Sequence, residues 1–177
     1  ISVARSAGAI LKEEFTHINK FDAKGARDIV THMDYESEAL IMKELQAAYP
    51  DYSIKTEESP NVDRGSGYCW YIDPIDGTNN FITGSPYLVV SIGLTYQNET
   101  VLGVVYNPIS DELFQAKKGE GAFLNGKQIS VSKRSELSEA LLALSYAAEE
   151  KEIHQGIAIL EKFVLQCRRV MINFAPA

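Results

Sequence analysis

The sequence is poor in cysteine and in basic residues, and it has no long apolar run. The two cysteines, Cys69 and Cys167, are too few and too far apart for a disulfide framework or a zinc site, which indicates a reducing compartment, by default the cytoplasm. Lys and Arg number 17 against 24 Asp and Glu, and the formal charge of −7 argues against a nucleic-acid partner. No apolar stretch reaches the roughly eighteen residues that a membrane-spanning helix requires, and no secretory signal pattern is visible.

The chain nevertheless has enough apolar residues for a substantial core. It contains 177 residues, of which 45% are hydrophobic and 10% aromatic, so it corresponds to one typical domain or somewhat more. Its first residue already lies in a helical pattern, and its last residues form an apolar stretch with no helix stop signal. We therefore expect the natural protein to extend beyond both ends.

Hydrophobic periodicity predicts helices near both ends of the chain and strands between them. The predicted helices cover residues 1–19, 31–49 and 149–166, and the second begins with Thr31 as N-cap and Asp34 closing a capping box. The middle of the chain contains short β-rich runs separated by polar turns, including two runs that the sequence QNE joins as a hairpin. This order predicts an α+β fold in which helices cover an antiparallel sheet.

The stretch WYIDPIDGTNNF, residues 70–81, places the carboxylates of Asp73 and Asp76 three positions apart. The apolar run before Asp73 predicts a buried strand that ends there, because Pro74 has no N–H to continue the ladder. A turn would then direct both carboxylates and the carbonyl oxygen of Ile75 toward one point. Two carboxylates about 4 Å apart repel each other by about 4 kcal/mol at an effective dielectric constant of about 20, so the pattern favours a bound cation.

The simpler interpretation of this motif is an ordinary surface turn, since Asp-Pro and Asp-Gly pairs are common turn formers. Further acidic residues favour the metal: Glu57 and Glu58 follow the preceding predicted strand, and Asp28 and Asp34 lie around a helix start. Glu58 is equally well explained as a solvated neighbour, and Asp28 as a helix-start residue. Oxygen ligands without His or Cys indicate Mg²⁺, with Mn²⁺ or Ca²⁺ as less favoured alternatives.

Three motifs occur in this order: DIVTHMDYESEALIMKELQAAYPDYSIKTEES at 28–59, WYIDPIDGTNNF at 70–81, and GVVYNPISDELFQAKKGEGAFLNG at 103–126. Together they resemble the inositol monophosphatase family of magnesium-dependent, lithium-sensitive phosphatases, which is related to the fructose-1,6-bisphosphatases. The resemblance implies a layered sugar-phosphatase fold, an αβαβα sandwich in the full-length family, with its second subdomain truncated here. We expect residues 1–138 to form an N-terminal α+β metal-binding subdomain and residues 139–177 to begin an incomplete C-terminal α/β subdomain.

The resemblance also implies a set of metal ligands. Glu57, Asp73 and the backbone carbonyl of Ile75 would hold a first Mg²⁺, and Asp73 and Asp76 would contribute to a second. The full-length family site holds two or three Mg²⁺ ions, for which Mn²⁺ is a possible substitute. The family completes the second metal site with an aspartate in a W-D-x-A-A-G-like motif that lies beyond residue 177, so residues 1–177 would carry only the first site complete.

Catalytic and substrate-binding roles follow from the same resemblance. Glu57 and Thr78 would orient and activate the attacking water, and Asp34 would accept a hydrogen bond from the threonine hydroxyl. The main-chain amides of Gly77 and Thr78 would bind the substrate phosphate, and Lys24 resembles part of a mobile loop that closes near the metals. The terminal segment departs from the family pattern, because Asn173 and Phe174 replace small residues.

The implied activity is Mg²⁺-dependent hydrolysis of a small phosphate monoester, such as inositol 1-phosphate, by a metal-activated water. Fructose 1,6-bisphosphate, adenosine 3′,5′-bisphosphate and histidinol phosphate stay open as substrates of the same superfamily. A non-catalytic, partner-binding role is the alternative from a different functional class. The resemblance further implies a homodimer and a small phosphorylated substrate as the main partner.

Overall fold

The structure is a computed structural model that describes residues 1–15, 17, 21–23, 29–144 and 150–172. The α-helices in these ranges are α1 (Ser2–Glu14), α2 (His32–Ala48), α3 (Thr78–Thr83) and α4 (Glu150–Phe163). The strands there are β1 (Asp22–Ala23), β2 (Ile29–Val30), β3 (Ser53–Thr56), β4 (Tyr68–Asp76), β5 (Val89–Tyr96), β6 (Glu99–Asn107), β7 (Glu112–Lys117), β8 (Gly121–Leu124), β9 (Lys127–Ile129), β10 (Leu141–Leu144) and β11 (Arg169–Ile172). Within these ranges no helix combines the length and apolar character needed to cross a bilayer.

The main sheet has seven strands in the order β3-β4-β5-β6-β7-β8-β9. Every neighbouring pair is antiparallel except β3 and β4, which are parallel with Thr56 beside Ile72. The expectation of a purely antiparallel sheet is therefore wrong at this pair. The loop after β3 carries the chain back along the sheet, so both strands run in the same direction and their carboxyl ends lie at the same edge.

The hairpin between β5 and β6 confirms the turn predicted from QNE. Gln97 and Asn98 both have positive φ angles, of 49° and 66°. Two consecutive left-handed residues match the right-handed twist of the flanking strands, and Asn tolerates this conformation better than most residues. The meander continues through β7, β8 and β9, while β10 and β11 form a separate parallel pair.

The second predicted helix begins with the predicted capping box. The hydroxyl of Thr31 accepts a hydrogen bond from the N–H of Met33 at 3.2 Å, and the N–H of Thr31 donates to Oδ2 of Asp34 at 2.7 Å. These bonds satisfy backbone donors that have no partner inside the helix. The flanking helices are shorter than predicted, since α1 ends at Glu14 and α4 at Phe163.

The core lies between helices α1 and α2 and the central strands. Its buried apolar side chains come from both helices and from β3 to β7, and include Ala4, Ala7, Leu11, Met33, Ile41, Leu45, Ile54, Trp70, Ile72, Val90, Ile92, Val104 and Leu113. Burying one side chain of this size stabilises the fold by about 1.5–3 kcal/mol. Gly8 lets α1 approach the sheet closely, because a Cβ there would lie 2.5 Å from Cε1 of Tyr106.

Candidate functional site

The parallel pairing of β3 and β4 places two of the predicted metal ligands at one edge of the sheet. Thr56 is the partner of Ile72 in the ladder, and Glu57 and Asp73 are the next residues along the two strands. The Glu57 side chain is exposed and Asp73 is half-buried. At this edge of the sheet the exposed carboxyl group of Glu57 therefore follows the strand next to the one that carries the half-buried Asp73.

The sequence predicted that the strand ends at Asp73 and that the chain turns at Pro74. This prediction is wrong. Strand β4 continues to Asp76, and its pairing with β5 shifts between Asp73 and Asp76, where three steps on β4 oppose two on β5. An extra residue on one strand is a β-bulge, which accommodates a proline that cannot donate to the ladder. Because the bulge shifts the alternation of side chains, Asp73 and Asp76 can both face the site although they are three residues apart.

Gly77 joins this bulged strand to helix α3. Its φ angle is +100°, in the region that favours glycine, and a Cβ there would lie 2.9 Å from the backbone oxygen of Tyr87. Both features require glycine at this position. The amides of Gly77 and Thr78, predicted to bind phosphate, therefore lie at the start of α3, directly after the acidic residues.

The Thr78 hydroxyl lies 3.1 Å from Oδ1 of Asp34 and 3.1 Å from the carbonyl oxygen of Ile75. The hydrogen bond that was expected between Thr78 and Asp34 is present. A hydroxyl has one proton, and a carboxylate is the stronger acceptor, so donation to Asp34 leaves the hydroxyl lone pairs and the Ile75 carbonyl able to bind other groups.

Burial raises the pKa of Asp34, and the hydrogen bonds from Thr31 and Thr78 oppose this effect. The hydroxyl of Thr31 donates to Oδ2 of Asp34 at 2.7 Å, in addition to the capping bond from its N–H. Asp34 is 2% exposed, so its geometry is held by contacts on both carboxyl oxygens rather than by solvent.

The carboxyl group of Asp73 has the most strongly shifted pKa in the site. Burial and the nearby carboxyl groups of Glu57 and Asp76 raise its pKa from 3.8 to about 8, and Asp34 contributes in the same direction. Among the described residues, Oδ1 of Asp73 is buried and has no hydrogen-bond partner. A buried, unpaired oxygen among other carboxyl groups is an unfavourable arrangement that a cation would relieve.

Helix α2 has two further buried polar residues, Ser37 and Glu38, which were not predicted from the sequence. The Ser37 hydroxyl donates to the carbonyl of Pro74 at 3.3 Å. Oε2 of Glu38 accepts a hydrogen bond from the Thr56 hydroxyl, and a second from the N–H of Glu58 at 2.8 Å. Their spacing of three and four residues from Asp34 is the signal that could have found them, since such residues share one helix face.

Comparison with known proteins gives the family of this chain. A family model described as the inositol monophosphatase family matches residues 1–174. The chain belongs to the inositol monophosphatase family. Inositol monophosphatase 2 from Solanum lycopersicum is 45% identical over 148 residues, which cover 81% of this chain and 56% of that protein. Nus factor SuhB from Haemophilus influenzae is 38% identical over 156 residues, which cover 86% of this chain and 58% of that protein.

The fold of this inositol monophosphatase family member also matches solved structures. The crystal structure of the extragenic suppressor protein suhB from Bartonella henselae has a TM-score of 0.92 and 32% sequence identity, covering 99% of this chain and 69% of that one. The predicted layered α+β fold is confirmed. The chain spans little more than half the length of the two sequence relatives.

The predicted metal ligands of this family member fit a hard cation in chemistry. Their donors are carboxyl and carbonyl oxygens, and the unpaired oxygen of Asp73 lies among them. In the part of the chain that the structure describes, no three His, Cys, Asp or Glu side chains approach closely enough to hold a metal ion. Glu57 and Asp76 nevertheless lie near enough to Asp73 for their charges to raise its pKa. Lys24 and Asp28 lie outside the described residues.

Proposed function

We propose that this chain supplies the metal-binding and water-activating half of a phosphatase that hydrolyses a small phosphate monoester, inositol 1-phosphate first among them, with Mg²⁺ as cofactor. The observation that carries the proposal is the buried, unpaired Oδ1 of Asp73 beside Glu57 and Asp76. A protein tolerates such an arrangement where a ligand compensates it. Structural acids of this kind are otherwise paired or exposed.

The proposed ligands of the first Mg²⁺ are Glu57, Asp73 and the carbonyl oxygen of Ile75, and Asp73 and Asp76 contribute to a second. Mn²⁺ is the proposed substitute, because it accepts the same oxygen ligands. When bound, such ions lower the pKa of a water and neutralise charge on the phosphoryl oxygens. The carboxyl groups would hold the cations. The Ile75 carbonyl would add a neutral ligand, which does not increase the repulsion between the carboxyl groups.

Thr78 is proposed to orient the attacking water together with Glu57. Its proton is directed toward Asp34, so its oxygen is left to accept a hydrogen bond from water. Asp34 thereby acts through Thr78 and needs no contact with substrate. Glu57, which is exposed just after the end of β3, is proposed to accept a proton from the same water.

Substrate phosphate is proposed to bind the amides of Gly77 and Thr78. These N–H groups lie at the start of α3, where helix amides have no partner inside the helix, and the positive φ angle of Gly77 forms the turn that leads into it. No covalent nucleophile is required in this scheme, since water attacks directly.

Several finer features belong to the same proposal. The proposed contacts bind the phosphate group and do not select the alcohol to which it is attached. The alternative substrates are therefore fructose 1,6-bisphosphate, adenosine 3′,5′-bisphosphate and histidinol phosphate. Sensitivity to lithium, a homodimeric assembly, a cytoplasmic location and the division at residues 138 and 139 are proposed from the family resemblance and the composition.

A partner-binding role is the second candidate function. It is favoured by the 38% identity to a relative named Nus factor SuhB. The presence of Glu57, Asp73, Asp76 and Thr78 at the matched positions favours the enzyme.

The test measures phosphate release by the complete gene product from the four candidate substrates, with and without Mg²⁺. Asp76→Asn should lower turnover by about 10²-fold or more, because it removes a ligand charge from a site that acts electrostatically. The matched control is Asp51→Asn, at an exposed position outside the site, which should leave turnover unchanged. Full turnover by Asp76→Asn would refute the proposal. Partner capture by an inactive Asp76→Asn protein would favour the second function.

A further inference from the structure

Glu38 is a fully buried acidic residue in the middle of α2. Its exposed fraction is 0%, and it lies one helical turn beyond Asp34 on the same buried face. It is not among the residues that were predicted to bind metal, water or phosphate. A buried acid with no assigned role therefore lies directly behind the candidate site.

The contacts of Glu38 join α2 to the segment that carries Glu57. Oε2 of Glu38 accepts hydrogen bonds from the hydroxyl of Thr56 and from the N–H of Glu58, at 2.8 Å for the latter. These donors belong to the residues immediately before and after Glu57. One carboxyl oxygen of Glu38 therefore contacts the residues on both sides of Glu57 and restrains the chain there.

The second carboxyl oxygen shows that this arrangement is costly for the fold. Among the described residues, Oε1 of Glu38 is buried and has no hydrogen-bond partner. Leaving a buried polar atom unsatisfied is destabilising, and an apolar side chain of similar volume can replace such a group with little loss or even a gain of stability. Packing alone would favour an apolar residue here.

Two other residues on the same face of α2 contact the segment that carries the remaining proposed ligands. Ser37 donates to the carbonyl of Pro74, between Asp73 and Asp76, and Asp34 contacts Thr78. Helix α2 is anchored in the core by its own buried side chains of Met33, Ile41 and Leu45. Glu38 is the part of this face that reaches the Glu57 segment.

We propose that Glu38 is a positioning residue, which holds the Thr56–Glu58 segment so that the Glu57 carboxyl group faces Asp73 and completes the cation site. This inference rests on the proposed metal-dependent function. Glu38 touches neither metal nor substrate. It acts through the backbone of residue 58 and the side chain of Thr56, as partners behind metal ligands commonly do.

The test compares Glu38→Met with Glu38→Gln in the complete gene product. Met has a similar volume but no acceptor, whereas Gln keeps a carbonyl oxygen that can accept both hydrogen bonds. The readout is the dissociation constant for Mn²⁺, measured without substrate by electron paramagnetic resonance, together with the melting temperature in a metal chelator. Glu38→Met should weaken Mn²⁺ binding by about 10-fold or more. Its melting temperature should stay near or above the wild-type value, and Glu38→Gln should restore most of the affinity.

Glu36→Met is the matched control, because Glu36 lies on α2 with its side chain exposed to solvent. It makes the same change in charge and size, and it should leave Mn²⁺ binding unchanged. Thr56→Val gives an independent test that does not alter the buried acid. It removes one of the two donors, so it should weaken Mn²⁺ binding by a smaller factor, and it should add nothing in combination with Glu38→Met.

Wild-type Mn²⁺ affinity in Glu38→Met would refute the inference while leaving the proposed function intact. If Glu38→Met does not fold, wild-type affinity in Thr56→Val would refute the inference, and weakened affinity there would support it. Equal loss in Glu38→Met and Glu38→Gln would also refute it, because the hydrogen bonds would then not be the cause. A wild-type protein that neither binds Mn²⁺ nor releases phosphate would refute the proposed function, and this inference with it.

Discussion

Helices α1 and α2 pack against each other and against the same sheet, yet they bury different chemistry. The buried residues of α1 are small or apolar: Ala4, Ala7, Gly8 and Leu11. Those of α2 include three polar side chains beside three apolar ones: Met33, Asp34, Ser37, Glu38, Ile41 and Leu45. The α1 contact therefore serves stability, whereas the α2 contact combines stability with the support of a charged site.

The contrast between the two helices shows how a destabilising polar site is held in a stable domain. Each of the three buried polar side chains of α2 contacts a backbone or hydroxyl group of a site segment, and apolar residues on the same helix supply the burial that anchors it. The close contact of α1 through Gly8 adds stability at a distance from the charges. Changes on the α2 side should therefore affect function, ligand binding and pH dependence, and changes on the α1 side should affect stability alone.

The largest effect is expected at Asp73, which should make the free energy of unfolding depend on pH. The pKa of Asp73 in the folded protein, about 8, lies above its ordinary value of 3.8. The associated stability is therefore fully present below about pH 4 and is lost as the pH rises through about 8. In a metal chelator, the free energy of unfolding should fall over this window by an amount on the order of several kcal/mol.

Urea denaturation at pH 5 and pH 8 measures this loss, and added Mg²⁺ should reverse it at pH 8. Asp73→Asn should flatten the pH dependence, while Asp51→Asn, an exposed control, should leave it unchanged. An Asp73→Asn protein with the wild-type pH dependence would show that Asp73 is not the responsible group.

A smaller effect is expected from Asp34→Asn on the polar face of α2. Asparagine still provides an oxygen for the capping box, but it is a weaker acceptor for the Thr78 hydroxyl. Turnover should fall by about 10²-fold, and the melting temperature should change little. Steady-state phosphate release and thermal denaturation measure the two quantities, with Glu36→Gln as control. A large loss of stability with unaltered turnover of the folded fraction would contradict the assignment.

The smallest effect on function is expected from Gly8→Val on α1. The added side chain would overlap Tyr106, whose ring is buried, so the free energy of unfolding should fall by about 1–3 kcal/mol. Turnover per folded molecule and Mn²⁺ affinity should stay at the wild-type values, because the atoms nearest to the added Cβ belong to Tyr106 and Pro108, which have no proposed role in the site. Chemical denaturation gives the stability. Gly103→Val offers a comparison, since a Cβ at Gly103 meets no neighbouring atom within 4 Å.

Local chemistry was predictable from the sequence where the cause is local. The capping box of Thr31 and Asp34 depends on a spacing of three residues, and the turn at Gln97 and Asn98 depends on residues that tolerate positive φ. The acidic motif was visible because Asp73 directly follows an apolar strand. Each of these patterns lies within a few consecutive residues.

Features that depend on distant residues were missed or misjudged. The parallel pairing of β3 with β4 and the bulge at Pro74 depend on how the neighbouring strands align, which no local pattern specifies. The role of Glu38 depends on the approach of residues 18 and 20 positions away, Thr56 and Glu58. In the sequence alone, Glu38 is one more charged residue in a polar stretch of helix.

The family, the α+β class and the identity of the acidic groups follow from the sequence, because motifs and periodicity are properties of neighbouring residues. Which of those acidic groups approach one another, and how far each is shielded from water, depends on the folded chain. The raised pKa of Asp73 and its unpaired oxygen belong to this second kind, since burial and charge repulsion depend on distances in space.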